Sequence, residues 1–247
     1  MKNIHSLTID PLTGSSFKTS GKYNLHILTK YQFNRQTINM CQSVDITIGV
    51  LALQGAFREH VLAIEQSAGV KAVALRTRED FEQNKIDGLI IPGGESTTMA
   101  HIANRSGVMD ILREFVASGK PVWGTCAGLI FLADKAQSAK IGGQALIGGL
   151  HVTVDRNHFG AQVHSFEVDI SVPVLGEKPF HGVFIRAPAI LETGEGVEIL
   201  AKHIDQNGKE VVVAARQGSL LGCSFHPELT PDNRFHNLFV DMVAASL

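Results

Sequence analysis

The sequence predicts an α/β fold, a three-layer sandwich with helices on both faces of a mostly parallel central sheet. Residues 46–53, Ile-Thr-Ile-Gly-Val-Leu-Ala-Leu, form an uninterrupted apolar run, which is typical of a strand buried on both faces. Strand-like and helix-like segments then alternate as far as about residue 136. The chain has 247 residues, 44% of them hydrophobic, so it is long enough to bury the core of one such domain.

The elements of the first half follow from the spacing of apolar residues. Residues spaced by three or four predict a helix that starts at Phe57 and stops at Gly69, because glycine commonly follows the end of a helix. The same spacing predicts a helix over 108–118. In chain order, the other predicted elements are strands at 71–75, 87–91 and 121–125 and a helix at 127–136.

The second half differs, because short strand-like segments and turns such as Asn207-Gly208 replace the alternation from about Leu146 to Phe225. A final helix is predicted to start with Thr230 as its N-cap and Pro231 at its first position. Strands are predicted at 163–170, 182–186, 198–201, 211–215 and 220–225.

Residues 1–45 differ in composition from the rest and are predicted to be an N-terminal extension, disordered or a leader, that precedes a domain at 46–247. Residues 1–44 carry five Lys or Arg against a single acid, Asp10, and they contain no alanine. Three interpretations stay open: an organelle transit peptide, a disordered tail, and a leader whose true start is Met40.

Composition excludes several classes of function. The formal charge of −2 gives no basic surface for nucleic acid, and no apolar run approaches the ~18 residues of a membrane span. Three cysteines without CxxC spacing argue against a disulfide framework or a zinc finger and favour a reducing compartment. We therefore expect a cytoplasmic protein, or an organellar one if residues 1–45 are a transit peptide, with no nucleic-acid or membrane partner.

The segment Gly124-Thr125-Cys126-Ala127-Gly128 is the thiol version of the G-x-S-x-G elbow, in which glycines flank a nucleophile on a tight strand-to-helix turn. A helix N-terminus favours the thiolate and aims the Ala127 N–H at an oxyanion. We therefore predict that Cys126 is a nucleophile. Cys41 and Cys223 lack this setting and are interpreted as small buried hydrophobic residues.

A base for such a nucleophile is available in Phe225-His226-Pro227-Glu228. In an extended chain His226 and Glu228 point the same way, so the carboxylate can fix the imidazole tautomer. A turn without catalytic function is the alternative for this motif alone. The other histidines, including His60, His101, His158 and His164, lack metal-ligand spacing and are interpreted as surface or satisfied core groups; no metal and no cofactor are expected.

The loop Pro92-Gly93-Gly94-Glu95-Ser96-Thr97-Thr98 follows a predicted buried strand and leads toward a helical stretch. Its N–H groups are therefore placed to receive an anion or a carbonyl oxygen. It is not a Walker loop, and GxGxxG is absent as well, so nucleotide binding has no support in the sequence. An ordinary turn is the alternative.

Together these motifs resemble class I (triad-type) glutamine amidotransferases and, within them, the PdxT/SNO family of glutaminase subunits of pyridoxal 5'-phosphate synthase. The cysteine elbow and His-Pro-Glu are shared by the whole class, and the other motifs narrow the resemblance. The markers are Gly49-Val-Leu-Ala-Leu-Gln-Gly55 with Glu59-His60, 92–98, 124–128, Arg156-Asn157 with Phe159-Gly160 and Gln162, Ile185-Arg186-Ala187-Pro188, and Phe225-His-Pro-Glu-Leu229. Ala161 departs from the pattern of many relatives, which carry Arg or a polar residue there.

The resemblance implies a flavodoxin-like class I amidotransferase fold and a Cys126–His226–Glu228 triad with the Gly94 and Ala127 amides as oxyanion donors. It implies that L-glutamine is hydrolysed to glutamate and ammonia through a thioester. It also implies a TIM-barrel synthase subunit as partner in a large hetero-oligomer, with Gln54-Gly55 and the adjoining helix as docking surface. The glutamine site it implies consists of Gly94, Glu95, Ser96, Arg156, Ile185 and Arg186.

Three alternative functions stay open at this level. One is a different cysteine hydrolase on a similar sheet, such as a γ-glutamyl peptidase. Another is a regulatory or docking subunit without catalysis, and the last is a glutaminase that serves a different acceptor. For Arg156 the alternative is an ordinary ion pair with its neighbour Asp155.

Overall fold

The computed structural model describes residues 45–137, 144–160 and 165–247. The predicted extension over 1–45 falls, apart from Asp45, outside these residues and stays a prediction, as does the comment on Ala161. Within the described residues, ten strands form one sheet and two more form a separate hairpin. The strands are β1 Ile46–Leu51, β2 Val70–Leu75, β3 Gly88–Ile91, β4 Val122–Thr125, β5 Ala133–Gln137, β6 Leu150–Asp155, β7 Phe166–Ile170, β8 Phe180–Phe184, β9 Ala189–Thr193, β10 Glu198–Ile204, β11 Glu210–Gln217 and β12 Leu220–Cys223.

The large sheet has the order β2-β1-β3-β4-β12-β11-β9-β6-β5, with β10 paired to β11. Its first five strands are all parallel, which is the 2-1-3-4-5 arrangement of flavodoxin-like folds with β12 in the fifth position. Beyond β12 the pairings are antiparallel except between β5 and β6. The predicted α/β fold with a mostly parallel central sheet is confirmed.

Helices cover both faces of the parallel part. They are α1 Phe57–Ile64, α2 Arg78–Gln83, α3 Ser96–Ser106, α4 Val108–Ala117, α5 Ala127–Leu132 and α6 Arg234–Ala244. The first and last helices pack with the β7–β8 hairpin on one core, built around Trp123, Phe235 and Phe239. The other core contains Met99 from α3, Leu112 from α4 and Phe131 from α5. These two cores give the three predicted layers.

The C-terminal ends of two helices were predicted wrongly. The first helix ends at Ile64 rather than near Ala68, because turn hydrogen bonds such as Ser67 N–H to the Ile64 carbonyl (3.0 Å) replace the helical ladder. The segment 127–136 is a helix only as far as Leu132. Its second half pairs as β5 with β6 at the sheet edge, so tertiary pairing overrides the local helical pattern there.

The start of the last helix was also wrong. Thr230 ends a 3-10 turn at Pro227–Leu229, where its hydroxyl donates to the Pro227 carbonyl and accepts from the Asp232 N–H. The helix begins four residues later, at Arg234. The sequence analysis also did not identify α2, β6 and β9, which are short. It gave no bounds for α3, whose first residues, 96–98, belong to the segment that was interpreted as a loop.

Candidate active site

Cys126 lies in the turn between β4 and α5, at the carboxyl end of the parallel strands. Its φ of 48° is positive, which is uncommon for a residue with a side chain. Glycine at position 128 allows the turn to pack against β3, since a Cβ atom there would collide with the Ile91 carbonyl oxygen. The Cys126 N–H donates to the Cys223 carbonyl on the neighbouring strand (2.8 Å), which ties the elbow to β12. The predicted strand-turn-helix setting is confirmed.

The pairing of β4 with β12 brings the predicted base to the thiol. These strands run parallel with Thr125 opposite Cys223, so the residues that follow each of them emerge at the same edge of the sheet. His226 is fixed there by its N–H, which donates to the Val183 carbonyl (2.8 Å). A separation of 100 residues in the chain, from Cys126 to His226, is thus closed by one strand pairing.

His226 and Glu228 form a buried pair in which Nδ1 lies 2.7 Å from the carboxylate Oε1. Burial lowers the pKa of His226, but hydrogen bonds to Cys126 and Glu228 outweigh this and raise it to about 10. For Glu228, burial raises the pKa, but interactions with His60 and His226 outweigh it and lower the pKa below its ordinary value. Ionised carboxylate and protonated imidazole therefore stabilise each other.

A pocket opens in front of Cys126, and its wall contains every predicted site residue except Glu228, which lies behind His226. The thiol is 3.8 Å from the Ile185 carbonyl, and Arg186 follows with a positive φ of 46°. The lining residues are Gln54, Gly94, Glu95, Ser96, Cys126, Ala127, Ile130, Arg156, Asn157, Ile185, Arg186 and His226.

Arg156 is directed into this pocket rather than toward its chain neighbour. Its Nη2 donates to Glu95 Oε1 (3.2 Å), Ser96 Oγ (3.0 Å) and Thr97 Oγ1 (3.1 Å). Asp155 instead accepts from the Asn157 N–H (3.1 Å), so the alternative of an Arg156–Asp155 ion pair is not the arrangement found. The guanidinium thereby joins the start of α3 to the pocket wall.

The loop 92–98 leads into α3, as the sequence predicted, and Glu95 is the N-cap of that helix. Gln54 was not among the predicted site residues. Its Oε1 accepts from the Glu95 N–H (2.7 Å) and lies where a side chain on Gly94 would collide with it. Ala127 is the first residue of α5, so its N–H has no intrahelical acceptor. The oxyanion role of Gly94 and Ala127 stays a prediction.

His60 and His236 lie behind the triad, and the sequence analysis did not identify them as parts of the site. His60 is fully buried, and its Nε2 is 3.3 Å from Glu228 Oε2. The interpretation as a satisfied core histidine is correct for burial but missed this contact. The signal available was the Glu59-His60 marker.

Three further observations bear on the composition arguments. Cys223 is fully buried, and burial raises the pKa of its thiol, so its interpretation as a buried hydrophobic residue is confirmed. In the ranges that the structure describes, no three His, Cys, Asp or Glu side chains are grouped as a metal site would require. None of the helices in those ranges has the length and apolar character needed to cross a membrane. Cys41 and His164 lie outside the described residues.

Comparison with known proteins agrees with this geometry. The model of the SNO glutamine amidotransferase family matches residues 50–245. The pyridoxal 5'-phosphate synthase subunit PdxT of Bacillus licheniformis is 55% identical over 198 residues, which cover 80% of this chain and 95% of the relative. The PdxT subunit of Streptomyces avermitilis is 50% identical over 199 residues, covering 81% and 94%.

Solved structures give the same result. A structure titled as a glutamine amidotransferase superposes with a TM-score of 0.70 at 45% identity and covers 80% of this chain and 98% of its own. The elbow, the His-Pro-Glu turn and the pocket thus occur in a chain whose sequence and fold match one family along most of its length. The chain belongs to the SNO glutamine amidotransferase family.

Proposed function

We propose that this chain is the glutaminase subunit of a pyridoxal 5'-phosphate synthase. It hydrolyses L-glutamine to L-glutamate and ammonia and delivers the ammonia to a synthase subunit for vitamin B6 biosynthesis. The observation that carries this proposal is the single pocket that contains the thiol of Cys126, the imidazole of His226 and the guanidinium of Arg156. The names of the relatives supply the synthase context.

The reaction begins with attack of the Cys126 thiolate on the side-chain amide carbon of glutamine. Imidazolium at His226 is the favoured form because its pKa is raised to about 10, with Cys126 and Glu228 as the partners that raise it. A thiolate beside an imidazolium needs no separate deprotonation step before attack. The buried carboxylate of Glu228 keeps the imidazole in the orientation from which it can later donate its proton to the departing nitrogen.

The negative charge that develops on the amide oxygen is received by the backbone N–H groups of Gly94 and Ala127. The geometry that supports this role is the position of both residues on the pocket wall beside the thiol. His226 donates its proton to the departing nitrogen, the C–N bond breaks, and ammonia leaves a glutamyl thioester on Cys126. His226 then removes a proton from water, which attacks the thioester and releases glutamate.

Recognition of glutamine falls to the side chains around the pocket mouth. Arg156 and Arg186 offer guanidinium groups, which bind both oxygens of a carboxylate in one plane. Glu95 offers a carboxylate to the substrate ammonium and also anchors Arg156. Gly94, Ser96 and Ile185 complete the proposed substrate site.

The proposed partner is a TIM-barrel synthase subunit in a large hetero-oligomer, and the proposed catalytic domain is 46–247. Gln54-Gly55 and α1 form the proposed docking surface, which is supported by the hydrogen bond from Glu95 to Gln54 at the edge of the pocket. The proposed compartment is the cytoplasm, where a reactive thiol stays reduced. Cell fractionation tests this placement against an organelle.

The function is tested by glutamate release from glutamine, with and without a pyridoxal-phosphate synthase subunit, for wild type and Cys126→Ala. We expect activity that rises when the synthase subunit is added and is abolished in the variant. Activity indifferent to that subunit would overturn the synthase assignment. A lack of activity in every mixture would overturn the glutaminase itself, and faster turnover of γ-glutamyl peptides than of glutamine would replace it with a peptidase.

A further inference from the structure

The carboxylate of Glu228 has two oxygens, and the proposed triad uses only one of them. Oε1 binds Nδ1 of His226 at 2.7 Å. Oε2 is buried, and His60 Nε2 lies 3.3 Å from it. Among the residues that the structure describes, Oε2 has no hydrogen-bond partner, so the 3.3 Å approach of His60 Nε2 is an electrostatic contact. A buried carboxylate oxygen without a donor is costly in free energy. The contact with His60 is therefore important for keeping Glu228 ionised.

His60 is held in place by groups from two other elements, β4 and α6. Its Nδ1 is 3.0 Å from Nε2 of His236 on α6, and its Nε2 is 3.2 Å from the hydroxyl of Thr125, the residue before the nucleophile. The ring also packs edge-on against Trp123, with centroids 5.5 Å apart. His60 itself belongs to α1, so its ring cannot turn without disturbing contacts to β4 and α6.

The contacts select one tautomer of His60. Nε2 makes its hydrogen bond with the Thr125 hydroxyl at 3.2 Å and lies 3.3 Å from Oε2 of Glu228. An N–H on Nε2 donates to that hydroxyl and places its positive hydrogen beside the carboxylate, whereas a lone pair there would face the negative oxygen. His60 Nδ1 then carries the lone pair and accepts from the Nε2–H of His236. Each neutral imidazole then carries one proton, and Nδ1 of His236 has no hydrogen-bond partner among the described residues.

We propose that His60 is a positioning residue for the triad. Its Nε2–H, bonded to Thr125, stabilises the second oxygen of Glu228 electrostatically, while His236 fixes its tautomer. The inference rests on the proposed function, because it assigns His60 a role toward the proposed orienter of His226. The chain of contacts then runs from the thiol through His226, Glu228 and His60 to His236. Similar partners of a histidine or a carboxylate fix orientation and basicity in other sites.

The titratable groups around His60 agree with a neutral ring. Burial lowers the pKa of His60, Glu228 and Glu59 act in the opposite direction, and His226 adds to the lowering. For His236, burial and the neighbouring His60 lower the pKa to about 3, against the effect of Glu228. Thr125 and Trp123 add no charge.

Two substitutions at position 60 separate this role from simple packing. A glutamine amide places its nitrogen near the position of Nε2, so His60→Gln keeps an N–H beside Oε2 of Glu228 and loses the contact with His236. An asparagine amide reaches only the position of Nδ1, so His60→Asn keeps the contact with His236 and removes the N–H that lies beside Oε2. Both variants remove an aromatic ring from the same buried site, so each is the matched control of the other.

The experiment measures glutamate release by the full chain with the synthase subunit, as kcat and kcat/KM against pH. We expect His60→Gln to stay within about threefold of wild type and His60→Asn to lose about tenfold or more in kcat, the effect of one polar contact with a charged group. Because a carboxylate without a neighbouring N–H keeps more of its negative charge for His226, it stabilises imidazolium more, and the alkaline limb of kcat/KM should move to higher pH in His60→Asn only.

The inference is overturned if His60→Asn keeps the wild-type kcat and pH profile, or if both variants lose activity equally with unchanged profiles. If His60→Asn does not fold, the ring nitrogens of wild type decide by NMR, with His60→Gln giving the assignment; a proton on Nδ1 instead of Nε2 overturns the inference. Failure of the proposed function is distinct, because it would be seen as wild type without glutaminase activity or as Cys126→Ala with it.

Discussion

The imidazole of His226 and the carboxylate of Glu228 meet across a single proline, with Nδ1 2.7 Å from Oε1. Both residues belong to one short turn, Pro227–Leu229 with His226 before it, and Pro227 restricts the backbone between them. The orienting contact is therefore local in the chain, whereas the contact of His226 with the thiol depends on the sheet. Substitutions that remove the contact of His226 with Glu228 and substitutions that remove its contact with the thiol should therefore differ in their effects.

Replacing Glu228 with Gln should lower kcat for glutamine hydrolysis by about 10² to 10⁴, because a neutral amide can neither hold the imidazole tautomer nor stabilise its charge. The measurement is steady-state glutamate release with the synthase subunit present. Glu198→Gln is the control, since Glu198 pairs with Arg216 on an exposed strand. Equal activity of the two variants would contradict the orienting role.

The protonation of His226 should depend on Cys126. Its folded pKa of about 10 lies above the ordinary value of 6.5, so stabilisation by the charged imidazole is present below about pH 6.5 and is lost as pH rises through 10. In Cys126→Ala the thiol partner is gone while burial remains, so we expect the pKa of His226 to fall. NMR titration of the imidazole measures both proteins, and an unchanged pKa would contradict the thiol–imidazole contact.

Arg156→Ala should raise KM for glutamine about 10- to 100-fold and change kcat less, because the guanidinium is assigned to binding and its charged hydrogen bonds are removed. Arg113→Ala is the matched control. Arg113 lies on the exposed side of α4, where it bonds the Leu146 carbonyl, and it should leave KM unchanged. A wild-type KM in Arg156→Ala would remove this residue from the substrate site.

Gly128→Ala should destabilise the fold by about 2–3 kcal/mol or more, since the added Cβ meets the Ile91 carbonyl oxygen inside the core. Gly196→Ala is the comparison, because its positive φ of 76° is strained by any side chain but the space around it is open. We expect a cost of about 1 kcal/mol there. Urea unfolding of both variants measures the difference, and equal midpoints would show that the turn tolerates a methyl group.

Much of the parallel sheet could be predicted because its strands are continuous apolar runs. The segment 46–53 is of this kind, and its first six residues form β1. The segment 127–136 could not be predicted in full, because it becomes a strand after Leu132 only through pairing with β6, which lies outside the local pattern. The prediction of Thr230 as the N-cap of the last helix failed for a similar reason, since this residue ends a 3-10 turn instead.

The candidate site was predicted where chemistry is concentrated in short motifs. Cys126 has glycines two residues before and after it, and His226 and Glu228 flank a proline, so residue type and spacing were enough to single out both turns. The sequence alone did not bring Cys126 and His226 together, because that contact depends on the pairing of β4 with β12. His60 was interpreted only as a surface or satisfied core histidine, because its contact with Glu228 joins residues 168 positions apart and leaves no local pattern. Gln54 was missed as a site residue for the same reason, since its partner Glu95 is 41 positions away.

Because the site depends on the pairing of β4 with β12, it can form only after β12 has been synthesised. Cys126 is synthesised long before His226, and β12, the strand that carries the base toward the thiol, follows the other eleven strands of the described residues. A growing polypeptide therefore holds a cysteine without its imidazole until β12 has been made and inserted beside β4. Ammonia release should begin only in chains that already contain β12, so hydrolysis of glutamine by shorter, growing chains is avoided by the sequence order itself.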